Sequence, residues 1–191
     1  MAWVAGAELD GRPLPEKDGL GMLFLLLLAG IDTTWSTLGA TLWHLATHPE
    51  DQARLRAEPD LVPTAVEEFL RVYAPVSVSR VVTRDTELGG QAIPAGDRLL
   101  LAFPAANRDP DKFPDADTVI VDRAENRHVA FGLGVHRCLG SNLARTMLQV
   151  ALRAWVTQAP PFRLAEGATV SWTGGQVRGP RVVPITFLPS T

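Results

Sequence analysis

The sequence predicts a mostly α, α+β fold, and three observations lead there. A helix pattern runs from Asp18 to His48 and stops at Pro49. A β-prone stretch from Val78 to Ala102 is broken by Gly89-Gly90 and Pro94-Ala95-Gly96. A second long helix pattern, Cys138 to Ala159, opens straight out of a glycine-punctuated loop. With 191 residues, 46% of them apolar and 20% charged, the chain can bury one core, and a folded rather than disordered chain is expected.

In chain order, residues 1–17 read as a turn-rich lead-in punctuated by Gly11-Arg12-Pro13-Leu14-Pro15. Asp18 is placed to cap the long central helix over 18–48, which at 1.5 Å per residue spans roughly 45 Å, enough to cross a whole molecule. Helix signals follow at Pro49 to Ala57 and at 64–73, the latter stopped before Pro75. Residues 78–102 predict a small antiparallel sheet. Residues 107–137 lack periodicity and carry Pro110, Pro114, Gly132 and Gly134, and a meander of that length in a compact domain is normally functional. After the helix over 138–159, Pro160-Pro161 opens a β tail over 160–191, with strands expected near Phe162-Leu164, Val170-Trp172 and Val183-Leu188.

A single cysteine excludes an internal disulfide framework and suits a reducing cytoplasm. The apolar run Met22 to Ile31 is about half the length a bilayer crossing needs, and no basic leader precedes it, so a soluble, cytoplasmic chain with no membrane partner is expected. The net charge of −3 is uneven: Arg123, Arg127, Arg137, Arg145 and Arg153 stand against Glu125 alone, leaving that segment +4 and the remainder −7. Such a cationic segment would steer an acidic macromolecule, or merely keep a helix face solvated; the acidic remainder speaks against nucleic acid.

The lone Cys138 lies in Phe131-Gly132-Leu133-Gly134-Val135-His136-Arg137-Cys138-Leu139-Gly140. A cysteine without a partner is most often a small buried hydrophobe. Here Gly132, Gly134 and Gly140 let the backbone lie close to a flat ring, Phe131 can shield the sulfur, and the following helix points its positive end at it, favouring the thiolate that haem iron needs. The loop resembles the cysteine-ligand loop of the cytochrome P450 family, F-G-x-G-x-H-x-C-x-G, matched at every fixed position.

Two further constellations fit that resemblance. Ala29-Gly30-Ile31-Asp32-Thr33-Thr34 places an acid and two hydroxyls within the apolar helix, costly there unless paired, and Thr33 can loosen the helical ladder into a widened turn. It resembles the family's oxygen-activation motif, A/G-G-x-D/E-T-T/S, which implies that Ala29 and Gly30 leave room for haem and that Asp32 and Thr33 relay protons to dioxygen. Glu68 and Arg71, three apart on one helix face, read by spacing as a surface ion pair. The element Glu67-Glu68-Phe69-Leu70-Arg71 resembles the family's E-x-x-R, which implies a structural triad completed by Arg123 from the meander.

The same resemblance implies that Cys138 ligates the iron of haem b (iron protoporphyrin IX) and that Arg80 and His136 hold its propionates. His44, His48 and His128 show no metal-ligand spacing and are assigned to structure, as Trp43, Trp155 and Trp172 are to packing. Thr173-Gly174-Gly175-Gln176-Val177 reads as a tight turn which, with Val76, Ser77, Val78 and the Leu25 to Ala29 face, would line an apolar pocket.

The resemblance runs from about Asp10 to about Leu188 and covers only the second half of a family member, so a single partial domain is expected. It implies a haem-thiolate monooxygenase acting with O2 on a small apolar substrate, fed by an iron–sulfur donor of ferredoxin type. The alternatives are a non-catalytic or vestigial haem-binding protein and a structural module without cofactor. The run Met22-Leu23-Phe24-Leu25-Leu26-Leu27-Leu28-Ala29 is apolar on nearly all sides, which predicts self-association through the 22–31 helix face.

Overall fold

The computed structural model describes Val4 and residues 6–189. A small hairpin, β1 (Glu8–Leu9) and β2 (Arg12–Pro13), comes first. The sequence reading left it as a lead-in, although Asp10-Gly11, both with positive φ, are the residues a two-residue turn demands. Then comes α1 (Glu16–Thr47), which starts two residues earlier than expected because Pro15 takes the N-cap position. Asp18 is therefore not the cap; it lies in the first turn, where a negative charge still meets the positive helix end.

Helix α2 (Pro49–Ala57), a 3₁₀ turn (Pro59–Leu61) and α3 (Val62–Val72) follow. Strand β3 (Ser77–Val81) pairs antiparallel with β6 (Arg98–Ala102), Ser77 opposite Ala102 and Arg80 opposite Leu99. Between them β4 (Thr86–Leu88) and β5 (Gln91–Ile93) form their own hairpin across Gly89-Gly90. The expected single sheet over 78–102 is thus two two-stranded pieces. One turn of helix, α4 (Phe103–Ala106), leads into the meander, and α5 (Ser141–Gln158) follows the cysteine loop. In the tail β7 (Phe162–Leu164) pairs with β10 (Ile185–Phe187), and β8 (Trp172–Thr173) with β9 (Gly179–Pro180).

The core lies where α1, α3 and α5 meet. Leu45, Leu55, Val62, Phe69 and Leu152 are fully buried there, with Trp43 packed edge-on to Trp172 at 5.2 Å. Strand β9 crosses α1 so closely that a Cβ on Gly179 would fall 2.5 Å from that of Ser36, which is why a glycine stands there. Three histidines join this frame: with Asp51 ionised, His44 Nε2–H donates to it at 2.7 Å and Nδ1 accepts the Tyr73 hydroxyl at 2.8 Å, while His48 stacks on His44 at 4.0 Å and His128 pairs with Glu67.

Helix α1 leads two lives. From Ser36 to Ala46 it is embedded in the core, whereas from Glu16 to Trp35 nearly every side chain is uncovered, Leu25 at 66% and Trp35 at 71%. By length and composition alone α1 is long and apolar enough to cross a bilayer, more than the ten-residue run suggested, because Gly, Ala and Thr extend the weakly polar stretch on both sides. Its second half is instead spent on the chain's own core.

Candidate functional site

The cysteine loop is built from its backbone outward. Gly132 and Gly134 have φ of +66° and +67°, left-handed values that cost other residues dearly. The Gly132 N–H donates to Val129 O at 2.8 Å, and the Cys138 N–H returns to Phe131 O at 2.9 Å, closing the loop. Gly134–His136 form a 3₁₀ turn within it. The helix after the loop begins at Ser141, three residues later than expected, because Gly140 takes the N-cap position. Cys138 is a free, exposed thiol just ahead of that helix. The side chain of Phe131 is held from the other side, with the Arg145 guanidinium 4.6 Å above its ring.

Behind the loop Glu68, Arg71 and Arg123 meet, as the resemblance implied. Arg71 donates Nε and Nη2 to the two Glu68 oxygens, both at 2.8 Å, and Arg123 Nε approaches the same carboxylate at 3.1 Å. The Ile120 N–H and Asn126 Nδ2 complete it at 2.9 and 3.0 Å. The remaining guanidinium hydrogens reach carbonyls of the meander: Arg71 those of Asn107, Ala116 and Thr118, Arg123 that of Pro114. Asp115 adopts a left-handed φ of +52° in the turn that presents these oxygens. Burial works against the charged Glu68, but the Arg71 bonds, the Ile120 amide and Arg123 hold its carboxyl below the usual range. This is no surface pair: neither Glu68 nor Arg71 is exposed at all.

Arg80 is exposed on β3, its Nη1 donating to its own neighbour Ser79 O at 2.9 Å, and His136 is exposed in the loop. Phe103, directly after β6, packs 3.5 Å from where a Gly132 Cβ would stand, which sets that end of the β3–β6 pair against the loop, while no described contact joins Arg80 to His136. Asp32 and Thr33 sit on the uncovered half of α1, and among the described contacts none joins them to the loop. Two expectations change here. Asp32 is exposed and needs no partner, since that stretch of α1 is bare. The ladder is α-helical throughout 16–47, with no widened turn, although Thr33 Oγ1 does bond Ala29 O at 2.7 Å.

The turn 173–177 stands beside the start of β3, where Val76 bridges Val177 and the Ser77 N–H meets Gln176 O at 3.0 Å. The described contacts do not bring the Leu25 to Ala29 face against it. The cationic segment is also smaller than the count of arginines implied: Arg123 is buried in the triad and Arg145 is tied to Glu67, which leaves Arg127, Arg137 and Arg153 exposed.

No group of three or more His, Cys, Asp or Glu among the described residues is placed to hold a metal ion. A metal at Cys138 must therefore bring its other ligands with it, as the porphyrin of haem does. Exposed Leu133, Val135 and Leu139 flank the thiol, an apolar face suited to a flat ring, and the exposed Arg80 guanidinium and His136 imidazole are N–H donors suited to its carboxylates. The donor set fits haem.

Sequence reasoning gave no role to Asn107, Asn126, Glu67 and Arg145, and it assigned His128 to structure without naming its partners. Asn107 is fully buried and accepts the Val129 N–H at 2.7 Å, pinning the chain just before the loop. Glu67 accepts both Nε and Nη2 of Arg145, at 2.7 and 2.9 Å, and Nε2 of His128 at 3.0 Å. The one sequence signal was Glu67 standing beside Glu68: on a helix with one buried face, two adjacent acids call for two sets of cations.

The family model described as Cytochrome P450 matches residues 7–158. A probable cytochrome P450 127A1 of Sinorhizobium fredii is 38% identical over 187 residues, covering 98% of this chain and 45% of its own length. The mycinamicin IV hydroxylase/epoxidase of Micromonospora griseorubida is 40% identical over 180 residues, covering 91% and 45%. Among solved structures, cytochrome P450 CYP101C1 superposes with a TM-score of 0.92 at 37% identity, over 97% of this chain and 48% of that one. CYP109E1 of Bacillus megaterium in complex with testosterone gives 0.90 at 30% identity, over 96% and 51%. The chain spans about half the length of the curated relatives it matches.

Proposed function

The chain belongs to the cytochrome P450 family, and from that premise we propose that it is the cysteine-bearing half of a haem-thiolate monooxygenase. The observation that carries this reading is the closed loop that presents Cys138, the chain's sole thiol, at the surface between two left-handed glycines and a helix N-terminus. Cys138 would ligate the iron of haem b, and Arg80 and His136 would take its carboxylates. When bound, haem supplies the one-electron and oxygen chemistry.

The chain's own residues do the rest. The Glu68–Arg71–Arg123 triad anchors the meander, and Asn107 and the Val129–Gly132 turn carry that rigidity into the loop, so the sulfur stays in place without a second protein ligand. Thr33 and Asp32 would hold and move protons on the open face of α1, the Thr33 hydroxyl oxygen being free to accept while its hydrogen is given to Ala29 O. Leu25 and its neighbours offer an apolar wall, which favours a small apolar substrate. Exposed Arg127, Arg137 and Arg153 favour an acidic donor of ferredoxin type, and the lone cysteine a cytoplasmic setting.

The test is the absorption spectrum of the reduced, CO-treated protein after addition of haemin. A strongly red-shifted Soret band that disappears in Cys138→Ser is the expected result. Retention of that band in the variant, or no Soret band in the wild type, overturns the assignment.

A further inference from the structure

We infer that Glu67, His128 and Arg145 are positioning residues for the cysteine loop, acting through Phe131 and separately from the buried Glu68 triad. Three elements contribute one member each: Glu67 lies on α3, Arg145 on α5, and His128 at the end of the meander. The Glu67 carboxylate is the hub. It receives the Arg145 fork at 2.7 and 2.9 Å and His128 Nε2 at 3.0 Å, so both partners are aimed from a single point.

What they are aimed at is Phe131. The Arg145 guanidinium carbon lies 4.6 Å from the centre of its ring, and the His128 ring is 6.1 Å from it. The His128 tautomer is settled by its surroundings: Nδ1 accepts the Ala130 N–H at 3.2 Å, so Nε2 carries the hydrogen that goes to Glu67. The imidazole thereby grips the backbone one residue before Phe131 as well as flanking its ring.

Phe131 in turn closes the loop, since its carbonyl accepts the Cys138 N–H at 2.9 Å. The line of force runs from Glu67 through Arg145 and the His128 imidazole to the Phe131 ring, and from the Phe131 carbonyl to the cysteine. Cys138 Sγ itself is exposed and carries no hydrogen bond among the described residues, so its position depends on that backbone link. The inference draws its purpose from the proposed role of Cys138, but its geometry stands without haem.

The experiment is amide hydrogen exchange of the 191-residue chain, without haem, reading the Cys138 N–H against the Leu148 N–H in the middle of α5. In Arg145→Met and in Glu67→Gln, protection at Cys138 should fall by about tenfold or more while Leu148 stays protected. Arg145→Lys, which keeps the cation and one donor, should recover part of the loss. Phe131→Leu should expose the same amide, and adding Arg145→Met to it should then cost little more, because both act along one path. Unchanged protection at Cys138 overturns the inference. So does an equal loss at Leu148, or full additivity in the double variant, either of which would make the cluster a general tie between α3 and α5. If Arg145→Met fails to fold, Glu67→Gln and Arg145→Lys decide alone. The outcome is independent of the CO spectrum, so failure of the clamp and failure of the haem-ligand reading are told apart.

Discussion

Arg71 meets Glu68 head on, its Nε and Nη2 each 2.8 Å from one carboxylate oxygen, with neither side chain exposed to solvent. Taking two charges out of water is expensive, and the pair persists because its own remaining donors and acceptors are filled: Arg123, Asn126 and the Ile120 amide on the carboxylate, and meander carbonyls on the guanidinium.

Removing one partner leaves the other charge buried without compensation. Arg71→Ala should therefore lower unfolding stability by about 3–5 kcal/mol, and Glu68→Ala by a similar amount. The double variant should cost less than the sum of the two, because the second loss removes a charge already stranded. Urea midpoints with unchanged slopes decide this; a loss under about 1 kcal/mol would be that of a surface pair.

Strong acid should act at Glu67. Burial pushes its carboxyl up, but the hydrogen bonds and charges of His128 and Arg145 outweigh that and hold it down, from the ordinary 4.5 to about 2. A folded value below the ordinary one means stabilisation that is fully present above pH 4.5 and lost as pH falls through about 2. The shift corresponds to about 3 kcal/mol. Glu67→Gln should thus be less stable than the wild type at pH 6, and the gap should close towards pH 2; a gap that stays constant in urea titrations across that range would contradict the linkage.

How far the sequence could be read follows from the distance over which each feature is encoded. Periodicity and proline place α1, α2 and α3 within two residues of their ends, and Phe162–Leu164 is found as it stands, because these signals are local. Glu68 and Arg71 are visible as neighbours three apart, but spacing alone assigned them to the surface. Their burial depends on Arg123, 55 residues on from Glu68, and only the family resemblance supplied that link. Arg145 lies 78 residues from Glu67, and nothing in the local pattern joins them. Asp32 was misjudged for the reverse reason: an apolar run implies cover, and cover is a tertiary fact that the bare half of α1 does not meet.

Mild acid should loosen the junction of α1, α2 and α3. Burial pushes the His44 imidazole below its ordinary 6.5, the Asp51 hydrogen bond only partly offsetting it. Its contribution is then present above pH 6.5 and lost as pH falls through its lowered folded value. The Tyr73 hydroxyl bonded to it stays neutral throughout, its phenol pushed up to about 12 by burial. His44→Gln cannot titrate, so thermal melts between pH 7 and 5 should fall more steeply for the wild type than for this variant. Parallel slopes would place the acid sensitivity elsewhere.

The uncovered half of α1 carries the last prediction. Phe24, Leu25, Leu27, Leu28, Ile31 and Trp35 are each more than half exposed, and on α5 Leu143, Met147 and Val150 form a second bare stripe. Apolar surface is worth roughly 25 cal/mol per Å², and patches beyond a few hundred Å² seldom stay in water. The N-terminal half of α1 is apolar on nearly all sides, so no rotation of the helix hides it; only another surface can. The isolated chain should therefore self-associate through residues 22–31, seen as a concentration-dependent rise in sedimentation coefficient at micromolar protein. Replacing Leu25 and Leu28 by Glu puts two charges into that contact and should return the chain to monomer without lowering its melting temperature, since neither side chain touches the core. A wild-type chain that sediments as a monomer and binds no apolar dye would mean that the helix finds its cover within the chain itself.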